Sequence, residues 1–260
     1  MKKKCNFAVR SFGSEEKTPS LDTLTKWAGK QKRIGCDLIS FKMEQSLESQ
    51  VHVEIPCSGG MYYSERILES MLNLNGRILS GEPGMEFDCI TGDAKRICKC
   101  RKKTWVSVPA PSALGIEDGY FGDRDEYFGA MGEIYQRMMR EMRDAGVFGH
   151  VILADRFDAT EREELSGNKV FFYSPEWNTK VATGILEVQD RFAVPPGKLL
   201  RFFEIMDEYD VRQLILIDPT PGDFELALKH FDPENLFTGG YNSAGEEGYW
   251  ENLLKSAFVV

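Results

Sequence analysis

One stretch near the end of the chain, Val211 to Phe231, restricts the possible folds more than any other. Its apolar run Leu214-Ile215-Leu216-Ile217 is too short for a helix and stops at an acid, Asp218. Pro219-Thr220-Pro221-Gly222 then turns the chain, and Phe224 to Phe231 is amphipathic. Such a run, turn and amphipathic segment make one β-loop-α unit. The second half repeats the plan. His150 to Ala154 ends at Asp155 and leads to a short acidic helix, Asp158 to Leu165. Lys169 to Tyr173 ends at Ser174-Pro175 and leads to a helix from about Asn178 to Arg191. Pro195-Pro196 opens another helix carrying Leu199, Leu200, Phe203 and Met206. Leu236-Phe237-Thr238 is followed by the expected turn Gly239-Gly240 and a closing helix with Tyr249, Trp250, Leu253 and Leu254. Alternating strands and helices build a parallel sheet.

The first half is less regular. Lys4 to Phe12 reads as a strand ending in the turn Gly13-Ser14. Ser20 precedes a helical face of Leu21, Leu24, Trp27 and Ala28. Cys36 to Met43 and the strictly alternating Val51 to Ile55 read as strands. After Pro56-Cys57-Ser58-Gly59-Gly60, Ile67, Leu68, Met71 and Leu72 suit a helix. Ile78-Leu79, Phe87 to Ile90 and Arg96 to Cys98 suggest short antiparallel pieces broken by glycine and proline. Trp105 to Val108 is a strand. The clearest helix repeats Tyr127, Met131, Ile134, Met138, Met142 and Ala145 at spacings of three and four, and Gly146 closes it. About eight strand candidates in 260 residues point to a (β/α)8-like barrel with an irregular N-terminal half. An open doubly wound, mostly parallel sheet is the alternative. Residues 1–260 are expected to form a single α/β domain, with residues 77–103 as a possible antiparallel β excursion.

The net charge of −9 opposes broad nucleic-acid binding, which needs lysine and arginine to displace counterions. The basic run Lys95 to Lys103, next to Trp105, fits a solvated edge better than a stacking platform. No apolar run approaches the ~20 residues that span a bilayer. Met1 to Lys4 resembles the start of a signal peptide, but no apolar core follows, so a cytoplasmic protein without membrane contact is expected. Its cysteines would then be thiols.

Acids at strand ends, Asp155 and Asp218, together with Cys57, would converge on one face of a parallel fold. Two carboxylates could divide acid and base roles or hold a divalent metal ion. The plainer role is capping the next helix or pairing with a neighbour such as Arg156. Cys57, between a strand and a helix start, suits a nucleophile. The glycine turns Ser58-Gly59-Gly60 and Thr238-Gly239-Gly240 could cradle an anion, or serve simply as tight turns. The long loop Ile116 to Asp125 places Tyr120 where it could cover a ligand. Cys57, Cys89, Cys98 and Cys100 could instead hold zinc or an iron–sulfur cluster, although no Cys-x-x-Cys spacing is present. The leading expectation is an enzyme for a small anionic or phosphorylated metabolite. A metal or cluster protein and a non-catalytic partner-binding domain are the alternatives.

Overall fold

The computed structural model describes residues 5–30 and 37–259. Cys36 and the side chain of Cys5 lie outside the described residues. The chain opens with β1 (Cys5–Asn6), β2 (Val9–Ser14), α1 (Leu21–Lys30), α2 (Leu38–Glu48), β3 (Cys57–Gly59) and α3 (Ser64–Ser70). A side structure follows: β4 (Met71–Asn75), β5 (Ile78–Met85) and α4 (Asp88–Cys100). Then come β6 (Trp105–Pro109), β7 (Glu117–Asp118), α5 (Arg124–Asp144), β8 (Gly149–Leu153), α6 (Ala159–Leu165), β9 (Val170–Tyr173) and α7 (Thr179–Leu186). The last elements are β10 (Arg191–Val194), α8 (Leu199–Met206), β11 (Gln213–Ile217), α9 (Pro221–Ala227), β12 (Leu236–Asn242), α10 (Tyr249–Ser256) and β13 (Phe258–Val259).

Two four-stranded parallel sheets, β10-β11-β12-β2 and β3-β6-β8-β9, make the centre. Both seams between them are closed. At the first, Ser11 N–H donates to Ile55 O and Ile55 N–H donates to Val9 O, a parallel bridge just ahead of β3. At the second, between β9 and β10, a side chain substitutes for the ladder. Gln189 accepts from Phe172 N–H at 2.8 Å and donates to Phe172 O at 3.2 Å and Arg191 O at 2.6 Å. Arg191 Nη2 adds a bond to Val170 O at 3.0 Å. The eight strands therefore form a ring, which settles the choice between barrel and open sheet.

Inward-facing Phe12, Cys57, Val151, Phe171, Ile215 and Ile217 fill the ring. A larger cluster lies between the ring and the helices, with Tyr127, Met131, Ile134, Met138 and Met142 of α5 on its inner face. Burying each such side chain contributes about 1.5–3 kcal/mol. Gly146, with φ of +116°, ends that helix as its spacing requires. Near the N-terminal end of the ring, the Arg10 guanidinium lies 4.2 Å from the centre of the Trp105 ring and 4.6 Å from that of Phe171. Burial, assisted by Arg191, brings the Arg10 pKa down to about 9.

Several expected elements differ. Residues 38–48 are helical, not extended, because Asp37 caps them through Ser40 N–H at 2.8 Å. Val51 to Ile55 contributes only the bridge at Ile55; the strand itself is Cys57–Gly59. Antiparallel pairing occurs between β4 and β5, earlier than expected, while Phe87 to Cys98 leads into and forms α4. Its buried Ile90, Ala94 and Ile97 have helical spacing. The helix expected to reach about Arg191 ends at Leu186, and Arg191 to Val194 is a barrel strand. Gly239 and Gly240 are not a turn but the middle of β12.

Candidate active site at the barrel mouth

In a parallel barrel the C-terminal strand ends form the ligand face. Here that face carries two carboxylates, each held by a tyrosine. The first is Glu15, directly after β2. Its Oε1 accepts hydrogen bonds from the Tyr241 hydroxyl on β12 and from Met61 N–H after β3. Gly60 makes this approach possible, since a Cβ there would lie 2.6 Å from Glu15 Oε1. Glu16 alongside accepts from Ser14 Oγ at 2.7 Å, and burial raises its carboxyl above the ordinary range.

The second is Asp218, directly after β11. The Tyr249 hydroxyl of α10 donates to Asp218 Oδ1 at 2.6 Å. Asp218 adopts a φ of +44°, in the left-handed region that few residues other than glycine enter. Solvent reaches the residue, yet protein packed on its inner side raises its carboxyl, and the Tyr249 hydrogen bond offsets part of that rise. Asp218 does not cap α9; Thr220 does, in a reciprocal capping box with Asp223. Likewise α6 is capped by Asp158, not by Asp155.

Tyr173, the last residue of β9, touches the first pair through Tyr241 and lies within the electrostatic reach of the second. Its ring packs on Phe12 at 4.5 Å and edge-on to Tyr241 at 6.0 Å. Burial raises its phenol, and the charge of Asp218 adds to the shift. Glu15, Tyr241, Tyr173, Asp218 and Tyr249 thus form a polar row over an apolar plug. Such a row can orient a polar substrate and pass a proton to or from it.

The other expected site residues are scattered. Asp155 is exposed at the end of β8, separated from β11 around the ring by β9 and β10. Cys57 lies at the start of β3, fully buried in the ring, and burial raises its thiol well above the usual range. That environment suppresses the thiolate a nucleophile needs. Ser58 faces α2, where it donates to Met43 O at 2.9 Å. Gly59, with φ of +95°, is pressed against Ser107, whose carbonyl oxygen would lie 2.3 Å from a Cβ. Thr238 is buried. Gly239 leaves the room filled by Ile215 and Phe12, and Gly240 leaves the room crossed by Tyr249. On their side-chain faces, both glycines are closed off by packed side chains. Tyr120 packs on Phe121 in the loop beside β7, whose partner is the side strand β5.

The thiolate set is not assembled. Among the described residues no three His, Cys, Asp or Glu side chains are grouped to hold a metal ion. Cys89, Cys98 and Cys100 lie on α4, while Cys57 is inside the barrel. Among the described residues, no helix is long and apolar enough to cross a membrane.

Four residues of the row escaped sequence reasoning. Glu15 and Tyr173 follow the same strand-end pattern that singled out Asp218. Tyr241 lies beyond Gly239-Gly240, which mimics a turn after Thr238, and Tyr249 reads as one more apolar contact of an amphipathic helix.

No family model matches the sequence, and no curated protein matches it. Among solved structures, the chain is similar to a B12-independent methionine synthase from Shewanella sp. W3-18-1, determined in complex with selenomethionine. The TM-score is 0.59 at 12% identity, covering 97% of this chain and 96% of that one. A dihydrodipicolinate synthase from Rhodopseudomonas palustris gives a TM-score of 0.46 at 14% identity, over 96% of this chain and 73% of that one. The first likeness, at so low an identity, shows the fold: this chain has the (β/α)8 architecture of TIM-barrel proteins over nearly its whole length.

Proposed function

We propose that the protein is an enzyme acting on a small anionic or phosphorylated metabolite at the C-terminal ends of the barrel strands. The observation that carries the reading is the pair of tyrosine-held carboxylates, Glu15–Tyr241 and Asp218–Tyr249, with Tyr173 packed beside the first. Asp218, raised by burial and oriented by the Tyr249 hydroxyl, is suited to general acid–base work. The positive φ at Asp218 supports the same reading, since backbone strain collects where a side chain must be aimed. Like charges repel, so the anionic group of the substrate would be held away from Glu15, Glu16 and Asp218, with the reacting carbon or oxygen over the row.

Turnover screening with small phosphorylated and carboxylated metabolites tests this reading. Glu15→Gln and Asp218→Asn keep the shapes of the side chains and remove their charge. Each is expected to lower turnover about 100-fold or more while leaving the melting temperature nearly unchanged. Full turnover by both variants overturns the assignment.

A further inference from the structure

Beside the mouth lies a cavity of about 570 Å3, formed by the loops after β6, β8 and β9. Its wall carries four cationic side chains, Arg124, Arg156, Arg162 and Lys180, against one carboxylate, Asp158. In a chain with a net charge of −9 this is a local reversal of sign. The single carboxylate is already committed, because Arg124 Nε meets Asp158 Oδ2 at 2.7 Å. Arg156 and Lys180 are exposed and pair with no carboxylate among the described residues. Arg162 is fixed in place. Its guanidinium lies flat against α7, where Gly184 gives it room: a Cβ there would be 2.8 Å from Cζ. Its Nη1 donates to Phe157 O at 3.2 Å and its Nη2 reaches Glu187 at 3.4 Å. Its buried Nε has no hydrogen-bond partner among the described residues.

We propose that this cavity binds an oxyanion group, phosphate or carboxylate, through Arg156, Arg162 and Lys180. Guanidinium groups offer paired N–H donors that match the oxygens of both anions. The site deepens the reading of the mouth, on which it rests for the idea that the bound anion is part of a substrate. It occupies the same end of the barrel but a different sector, over β6, β8 and β9 rather than β2, β11 and β12. A molecule anchored there could extend its uncharged part toward Tyr173, the end of β9. A cavity of this volume accommodates a whole small metabolite.

The test is calorimetric titration of the full chain with inorganic phosphate and, separately, succinate, at constant ionic strength set with sodium chloride. The double variant Arg156→Ala/Lys180→Ala removes two exposed side chains that brace nothing, so its melting temperature should match the wild type. Binding of either anion, weakened at least tenfold by the double variant but unchanged by Lys229→Ala elsewhere, supports the site. The tighter of the two anions identifies the class. The Asp218→Asn protein should bind the same anion at wild-type affinity, so an error about the mouth leaves this result standing. Failure of both anions to bind above the chloride background, or equal binding by the double variant, overturns the proposal.

Discussion

The hydroxyl of Tyr249 reaches Asp218 Oδ1 at 2.6 Å by crossing the backbone of Gly240, which has no side chain to block it. A Cβ at residue 240 would lie 2.4 Å from that hydroxyl and 2.8 Å from Leu253 Cδ2. Gly240→Ala should therefore displace α10 from β12, at a cost of about 1–3 kcal/mol in unfolding free energy. Tyr249→Phe is milder. It removes the one interaction that lowers the Asp218 carboxyl while leaving the burial that raises it. The Asp218 pKa should then move further up, as followed by carbon NMR of the carboxyl. An unchanged titration would separate the tyrosine from the acid.

The seam between β9 and β10 gives a second expectation. Three hydrogen bonds to main-chain groups run through Gln189. Gln189→Leu keeps the bulk and removes all three, leaving Phe172 N–H and two carbonyl oxygens without them. At about 1 kcal/mol per lost bond, and more for a donor left dry, denaturant unfolding should show a loss of about 2–4 kcal/mol. The other seam, Ile55 to β2, has two backbone hydrogen bonds, and beside them Glu54 Oε2 accepts from Val9 N–H at 2.9 Å, so losing one side chain there should cost less than Gln189→Leu.

The sequence made the second half of this barrel readable because each unit there repeats one pattern: apolar strand, polar residue, turn, amphipathic helix. Where the physics departed from that pattern, so did the reading. Arg191 to Val194 is a strand preceded almost at once by a helix and followed at once by Pro195, which leaves no boundary signal. Cys36 to Met43 is apolar enough for a strand, but the Asp37 cap and the buried stripe Ile39, Met43 and Leu47 make residues 38–48 a helix. The glycines of β12 look like a turn in sequence. Their reason is tertiary: Phe12 and Ile215 press on Gly239, and Tyr249 presses on Gly240. Asp218 could be singled out because it ends an apolar run. Its partner Tyr249 could not, since a hydrogen bond between residues on different elements leaves no mark in either local pattern.

The cysteines separate by exposure. Cys89 and Cys100 are exposed, Cys98 is partly covered, and Cys57 is fully buried in the barrel with its thiol pushed up. In the native protein at mild alkaline pH, mass spectrometry after brief iodoacetamide treatment should find Cys89 and Cys100 labelled and Cys57 unlabelled. Cys57 should label only after denaturation. Rapid native labelling of Cys57 would restore the nucleophile reading that its burial opposes.

Two buried groups give the stability an unusual dependence on pH. Glu161 accepts hydrogen bonds from Ser112 N–H, Ser112 Oγ and Asp158 N–H, but burial is the larger effect and raises its carboxyl from 4.5 to about 7. Its folded form holds a proton that the unfolded chain has already released. This contribution is therefore fully present below pH 4.5 and lost as pH rises through about 7. His150 has the opposite sign. It is fully buried, with no hydrogen-bond partner on either ring nitrogen among the described residues, and burial lowers it from 6.5 to about 3. The unfolded chain takes up a proton that the folded one refuses, so stability falls as pH drops below 6.5 toward 3. Between pH 4.5 and 6.5 the two slopes oppose, each at most about 1.4 kcal/mol per pH unit. Urea unfolding of Glu161→Gln should expose the His150 slope, with stability rising from pH 4.5 to 6.5. His150→Leu should expose the Glu161 slope, with stability falling over the same window. The double variant should be flatter than either, because both opposing proton uptakes have been removed; parallel curves for all three proteins would rule out this pairing of effects.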